Sequence, residues 1–430
     1  MDTDVVVVGG GPAGSTAAAL LAMKGWRVTV LEKEHFPRFQ IGESLLPYNN
    51  DLFRELGVSK TLSESGFIEK RGAEFVTADG TISQKFIFGN SLPTEYACSF
   101  QVRRAEFDQI LLDAARSRGA QVIEGARVVQ VVLEDPSSCE VTYRSETGTE
   151  TKIRARFLID ASGAEGKATS AVVGRTESPA LKKIAFFAHY TNAKPSFDGG
   201  RDITVVVLRD GWCWVIPVDD TTTSFGVVLD SSAWKESGRS RNQILDETIA
   251  SSPYLRDRFG EAEQTTQVYA RKDFSYTVDR MYGPNFALVG DAAGFIDPIF
   301  STGVFIAMTS SKVAVEAIDR HLRDGSLRSL KRYEGMMRRV LARYIRFIEH
   351  FYRREFIEIF LHPHPRSRLV KVIVVMLAGN AFQTLIDRWG LEWFYVLVRI
   401  QGRRALIAPR LAWDKLPSAS GQQVSEVNVV

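Results

Sequence analysis

The run Val5-Val6-Val7-Val8 passes straight into Gly9-Gly10-Gly11-Pro12-Ala13-Gly14, an opening that leaves the chain little choice of fold. The apolar strand and glycine turn lead into an alanine-rich helix that ends near Gly25. A second apolar run from Val28 to Leu31 then stops at Glu32. Strand, G-x-G-x-x-G, helix, strand and acid together form a dinucleotide-binding pattern. Gly9 permits the tight turn, Gly11 lets the backbone approach a pyrophosphate, and Gly14 lets the helix lie close on the strand. With Pro12 and Ala13 opening the helix, its first N–H groups and its dipole face the phosphates. Glu32 stands where it accepts hydrogen bonds from ribose hydroxyls, which favours an adenosine without a 2′-phosphate.

A chain of 430 residues needs more than one core, so two or three subdomains are expected. Its three cysteines, Cys98, Cys139 and Cys213, form neither a C-x-x-C nor an even framework, which points to a reducing compartment. The first strand begins by residue 4, leaving no room for a signal peptide. The longest late apolar stretch, 371–387, is interrupted by Asn380 and Gln383 and falls short of the roughly 18 apolar residues of a spanning helix. The expected location is the cytoplasm. From residue 331 onward there are 17 Lys and Arg against 8 Asp and Glu, a balance of +9; with +3 for the whole chain, residues 1–330 carry −6. Such an excess usually marks solvated helix faces, and otherwise a surface for an acidic partner or an anionic membrane. Nothing in the pattern indicates nucleic-acid binding.

After Glu32 a proline-bounded loop, 35–47, precedes a helical stretch to Gly57. Residues 67–75 and 82–88 flank Asp79-Gly80 as a hairpin, and a helix is expected from Ala105 to Arg118. Phe157-Leu158-Ile159 ends at Asp160-Ala161-Ser162-Gly163, a buried parallel strand reaching the same edge as the glycine turn. Residues 181–280 alternate as antiparallel strands, among them 203–208, 212–217 and 223–229. Phe286-Ala287-Leu288-Val289 then leads to Gly290-Asp291-Ala292-Ala293-Gly294, to Asp297-Pro298-Ile299-Phe300-Ser301-Thr302-Gly303, and to a long helix. Beyond residue 327 the pattern is helical, with Tyr333, Met336, Met337, Val340, Leu341, Tyr344, Phe347 and Ile348 spaced as core contacts. The expected organisation is an α/β fold: a Rossmann-like domain from 1–66, 97–180 and 281–325, an inserted β-sheet domain from 67–96 and 181–280, a helical region 326–416, and a mobile tail 417–430. His362 and His364, in His-Pro-His-Pro, lack further ligands at metal spacing and read as loop residues, so no metal site is expected.

The three turns at Gly9 to Gly14, Asp160 to Gly163 and Gly290-Asp291 together resemble the p-hydroxybenzoate hydroxylase-like flavoprotein monooxygenases. That resemblance implies FAD, with Gly9, Gly11, Pro12, Ala13, Gly14, Glu32, Arg103, Asp160, Gly163, Gly290, Asp291, Ala293 and Pro298 at the cofactor. Within this class the chain resembles the flavin-dependent halogenases of the phenol and pyrrole type. Trp212-Cys213-Trp214-Val215-Ile216-Pro217 matches their W-x-W-x-I-P, and Gly42-Glu43-Ser44 with Pro47 matches G-E-S-x-x-P. The run from Asp297 to Gly303 is close to their corresponding loop, and Lys70 falls where the family carries its catalytic lysine.

The resemblance implies that FAD is used as FADH2 with O2 and chloride or bromide. It places halide at the backbone of Thr302 and Gly303, and makes Lys70 the group that delivers hypohalous halogen to an aromatic ring. As an ammonium Lys70 would polarise the oxidant; as a neutral amine it would carry the halogen itself, which requires a lowered pKa from burial and from the neighbouring Arg71. Trp212 and Trp214, with Ile216, Pro217, Glu43 and Ser44, would wall the passage to the ring. Taken singly these residues have plainer readings: an exposed strand lysine, a packed tryptophan pair, a helix start. Tryptophan halogenases carry a glutamate where this chain has Phe300, which argues for a phenol or pyrrole, free or tethered to an acyl carrier protein, over free tryptophan. No ring-deprotonating base is identified. The expected partners are a separate NAD(P)H-dependent flavin reductase and the aromatic substrate or its carrier. On the same scaffold the alternatives are an aromatic hydroxylase or a prenyl-lipid reductase, the latter with Trp389, Trp393 and Phe394 touching a membrane, and a flavin-binding partner protein without chemistry.

Overall fold

The computed structural model describes residues 1–166, 168–178, 181–196, 199–272, 275–362, 368–380 and 384–421. It divides into two compact units, one of Met1–Gly66, Val102–Ser178 and Ser275–Tyr344, the other of Phe67–Gln101, Pro179–Phe274 and Ile345–Val430.

The first unit is built on a five-stranded parallel sheet in the order Phe286–Leu288, Phe157–Asp160, Val5–Val8, Val28–Leu31 and Gln121–Ile123. Val5–Val8 is central and wholly buried, which explains its uninterrupted apolar run. Its register sets Val8 beside both Leu31 and Asp160, so the glycine turn and both acids, Glu32 and Asp160, leave the sheet at one edge. The helices Pro12–Met23 and Arg104–Ser117 carry the buried side chains expected of them, and Thr302–Asp324 begins just after the third turn.

The second unit centres on an eight-stranded sheet that joins Gly72–Thr77 and Ser83–Ile87 to the strands of residues 183–272. Most pairs are antiparallel, but Gly72–Thr77 lies parallel to Ile203–Val207. The hairpin therefore extends the inserted sheet directly, with Phe75 beside Val205. One face packs Cys213, Val215, Phe225, Val227 and Leu245 into a core; Trp212, Trp214 and Ile216 alternate onto the other.

Three expectations change here. The strand read over 67–75 is broken at Arg71, because Asp202 accepts both the Arg71 and Gly72 amides, at 2.6 and 2.9 Å. Ile68–Lys70 instead forms a separate two-stranded ribbon with Ser99–Gln101. The helical region is not a unit of its own. Helix Arg328–Phe351 buries Leu330, Tyr333 and Met337 in the first unit, with the Tyr333 hydroxyl donating to the Leu288 carbonyl. Its last turn, at Phe351, packs with Phe356, Phe360 and Phe75 in the second.

The tail is anchored at its start. Asp210 accepts hydrogen bonds from the Ala419 amide at 2.6 Å and the Ser418 hydroxyl at 2.7 Å, and the Arg209 backbone amide donates to the Pro417 carbonyl. Residues 422–430 lie outside the described residues, as do His364 and Gln383. Of the three aromatics assigned to a membrane, Phe394 is core, while Trp389 and Trp393 are exposed. Among the described residues no helix is long and apolar enough to cross a membrane.

Candidate active site

The first unit presents a cradle at the edge where its three turns meet. Gly9 and Gly14 could hardly be other residues: a Cβ on Gly14 would stand 1.8 Å from the Gly9 carbonyl oxygen, and one on Gly9 2.5 Å from that of Ala161. Gly9 also has a left-handed φ of +103°. Helix Pro12–Met23 starts at Gly11 with no side-chain cap and no acid in its first turn, so its leading N–H groups remain open to an anion. Glu32 is buried and accepts from the Gly10 amide at 2.6 Å and from the Glu34 amide at 3.0 Å, which fixes the carboxylate against the turn with lone pairs to spare.

Asp160 behaves differently. One of its oxygens accepts from the Ser162 amide and hydroxyl at 3.1 and 2.6 Å, the other from those of Thr169 at 3.0 and 2.7 Å. Four donors fill the acceptor capacity of a carboxylate. Its side chain ties down the turn that carries Gly163.

Arg103, expected at the cofactor, is held on the rim of its helix. Its guanidinium spans the Glu106 carboxylate, at 2.6 and 2.7 Å, and reaches the Ser65 carbonyl at 3.1 Å. The buried guanidinium is the next one: Arg104 makes two bonds to Asp108, at 2.8 and 2.9 Å, and donates to the Ile41 carbonyl. Arg103 is the N-cap, with extended backbone, whereas Arg104 is the first helical residue and turns its side chain inward. Burial disfavours the Arg104 charge, but Asp108, with Glu43 and Asp291 further off, outweighs it and holds the pKa above the ordinary value. Asp108 also takes Arg38 at 3.3 Å, and the other Arg38 terminal nitrogen lies 3.3 Å from where a Gly11 Cβ would be. Arg38 thus overhangs the glycine turn. The sequence reading passed over Arg38, Arg104 and Asp108; the available signal was an acid at 108 beside Phe107, on the apolar stripe of its helix.

The third turn closes the cradle. Gly290, at φ +60°, donates to the Ser310 hydroxyl at 2.8 Å and sits within 2.9 Å of Ala13 Cβ, measured from its own missing Cβ. Asp291 lies in the short turn Gly290–Ala293, its carbonyl held by Tyr276 at 2.6 Å. Pro298 opens a second short turn, capped by Asp297 through the Ile299 amide. Ser301, a non-glycine residue at φ +56°, then starts helix Thr302–Asp324 without a side-chain cap. Thr302 Oγ1, next to Gly303, is buried without a hydrogen-bond partner among the described residues, as is Ser44 Oγ. Glu43 is buried and its carbonyl takes the Val102 amide at 2.7 Å. Glycine positions that a methyl would fill, two uncapped helix starts and orphaned hydroxyls fit an adenine dinucleotide with a flavin end.

The second unit holds Lys70. Its side chain is buried, and burial pushes the ammonium pKa down to about 7, with Asp202 opposing. Asp202 is already shared by Lys85 at 3.4 Å and by two backbone amides, which limits its hold on Lys70. Arg71, expected to contribute, does not: it is exposed and bound to Glu69 at 2.6 Å, and burial alone lowers the Lys70 pKa. Trp212 and Trp214 are packed, each with its indole N–H satisfied, by the Tyr352 hydroxyl at 3.0 Å and by Ser224 Oγ at 3.1 Å. Gly226, opposite Trp214, leaves room for that indole: a Cβ there would stand 2.2 Å from the ring. Ile216 is buried beside them, and Pro217 ends the strand.

Comparison with known proteins agrees with this construction. The FAD binding domain family matches residues 2–348. The 1H-pyrrole-2-carbonyl-[peptidyl-carrier protein] chlorinase of Pseudomonas fluorescens is 32% identical over 410 residues, covering 89% of this chain and 90% of its own. The tryptophan 2-halogenase of Chondromyces crocatus is 35% identical over 322 residues, covering 74% of this chain and 61% of its own. The solved structure of the myxobacterial chondrochloren halogenase CndH, 30% identical, superimposes with a TM-score of 0.78 over 92% of this chain and 97% of that one. A chain with a glycine-built dinucleotide cradle, a W-x-W-x-I-P strand and a buried lysine, alike over nine-tenths of its length to a carrier-protein chlorinase, belongs to the FAD-binding flavoproteins as a flavin-dependent halogenase.

Proposed function

We propose that the protein halogenates an electron-rich aromatic ring, a pyrrole or a phenol, with Lys70 as the catalytic residue that hands over the halogen. The observation that carries this reading is the buried Lys70 amine, whose pKa of about 7 keeps a large neutral fraction at neutral pH. Bound FADH2, with O2, a halide and a proton, supplies one hypohalous acid and one water. The neutral Lys70 Nζ attacks the halogen, releasing water and leaving an N–halogen bond. The ring carbon then takes the halogen, the ring proton leaves, and the amine is restored. An ammonium Lys70 would instead donate a hydrogen bond to the oxygen of hypohalous acid, and the ratio of the two routes follows pH.

Glu32, the open amides after Gly11 and the Arg38 guanidinium would hold the adenosine and pyrophosphate, with Pro12 and Ala13 supporting the helix start. Asp291 would hold the ribityl end, with Ala293 and Pro298 shaping the turn. The amides at Thr302 and Gly303, at an uncapped helix start, would take the halide. Trp212 and Trp214, with Ile216 and Pro217, would screen the substrate ring in the second unit, and Glu43 and Ser44 would serve the cofactor side in the first. A separate flavin reductase would supply FADH2. The relative that acts on a pyrrole-2-carbonyl carrier protein favours an acylated pyrrole as substrate, delivered by a carrier.

The test is product analysis with FADH2, O2, chloride or bromide, and pyrrole or phenol substrates in free and carrier-bound form. Halide-dependent appearance of a halogenated ring is expected. Oxygenated product without halide incorporation would replace this reading with a hydroxylase.

A further inference from the structure

The ribbon that carries Lys70 holds more polar groups than its packing explains. Ile68–Lys70 and Ser99–Gln101 pair antiparallel in the register Ile68 with Gln101, Glu69 with Phe100, and Lys70 with Ser99. Residues directly opposite share a face, and alternate residues return to it. Ile68, Lys70, Ser99 and Gln101 therefore project together, with relative exposures of 4%, 2%, 0% and 0%. Ser99 Oγ and both side-chain atoms of Gln101, Nε2 and Oε1, have no hydrogen-bond partner among the described residues. Burying a primary amide with neither atom bonded is costly, and native proteins rarely tolerate it without a reason. Leucine or methionine would fill the same volume without the cost.

We propose that Gln101 reads the substrate, and that it selects an acylated pyrrole over a phenol. A carboxamide is planar and offers a donor and an acceptor side by side. A 1H-pyrrole-2-carbonyl group presents the complement on one edge, its ring N–H beside its carbonyl oxygen. Gln101 Oε1 accepts from the ring N–H and Nε2 donates to the carbonyl. A phenol has one hydroxyl and meets the pair only in part. Gln101 and Lys70 stand diagonally across the two strands, at about 7–8 Å between backbones. A five-membered ring gripped at its nitrogen edge thus turns its carbons toward the amine. Ser99, directly opposite Lys70, is the second donor at that end.

This inference deepens the halogenase reading and rests on it, but its test separates the two. Gln101→Leu is compared with wild type for equilibrium binding of pyrrole-2-carboxamide and of its N-methyl analogue, and for halogenation of a pyrrole-2-carbonyl thioester and a simple phenol. Hypohalous acid is followed separately by trapping with a β-diketone. Binding of pyrrole-2-carboxamide is expected to weaken at least tenfold in the variant. N-methylation should weaken binding to wild type by a similar factor, with little further loss in the variant. KM for the thioester should rise with little change for the phenol, trapped hypohalous acid should stay at the wild-type level, and the melting temperature should rise because an unbonded amide has gone. Equal binding by both proteins, or equal losses on thioester and phenol, would overturn the role of Gln101. A wild type that yields no trapped oxidant and no halogenated ring would overturn the halogenase reading, and the binding comparison would still decide Gln101.

Discussion

Asp160 and Gln101 each end a short strand, each is completely buried, and each is polar, yet the fold treats them in opposite ways. Asp160 receives four hydrogen bonds, two from Ser162 and two from Thr169. Gln101 receives none among the described residues, and its ribbon neighbour Lys70 is buried with its charge disfavoured. The first arrangement builds a rigid turn at the sheet edge; the second stores unmet polar capacity, the usual mark of a place where something else binds or reacts. The same division separates Arg104, held charged by Asp108, from Lys70, whose opposing acid is shared with Lys85.

The comparison can be broken most severely at the cradle. Gly14→Ala places a methyl against the Gly9 carbonyl in the middle of the turn, so loss of FAD binding is expected, with little soluble folded protein; flavin absorbance retained after gel filtration measures it. Asp160→Ala leaves four donors unbonded and should lower stability by about 3 kcal/mol or more, read in thermal or urea unfolding; a change below about 1 kcal/mol would mean that the turn is held by other means.

A smaller, pH-dependent effect sharpens the contrast from the other side. With Lys70 near 7 in the native state and about 10.4 when unfolded, the unfolded chain binds the extra proton between those values. Native stability should therefore rise with pH from about 7 toward 10, by up to roughly 1.4 kcal/mol per unit, and the full cost of the buried charge applies below pH 7. Lys70→Met should remove this dependence, so that its stability advantage over wild type is greatest at neutral pH and fades toward pH 10.

Local pattern carried the cradle into the sequence because each part has a steric reason confined to a few residues. Gly9 and Gly14 have no space for a Cβ, and Val5–Val8 is apolar throughout because it is the central strand. Lys70 was singled out only through the resemblance of its neighbours to the family motif. Its burial was not legible, since Glu69-Lys70-Arg71 reads as a solvated run until Asp202, 131 residues from Arg71, breaks the strand there. Arg103 and Arg104 cannot be told apart by pattern, because the helix boundary falls between them and the i to i+4 partner Asp108 pairs with Arg104. Ser99 and Gln101 gave no local signal: they gain meaning from cross-strand register with Lys70. The anchored start of the tail likewise depends on Asp210, distant in sequence.

The most direct measurement is the turnover of Lys70→Met, followed as halogenated ring and as trapped hypohalous acid in the same reaction. If Lys70 delivers the halogen, ring product falls by a factor of about 10³ while FAD retention and trapped oxidant stay at the wild-type level. Ring halogenation at an undiminished rate by that variant would contradict the account.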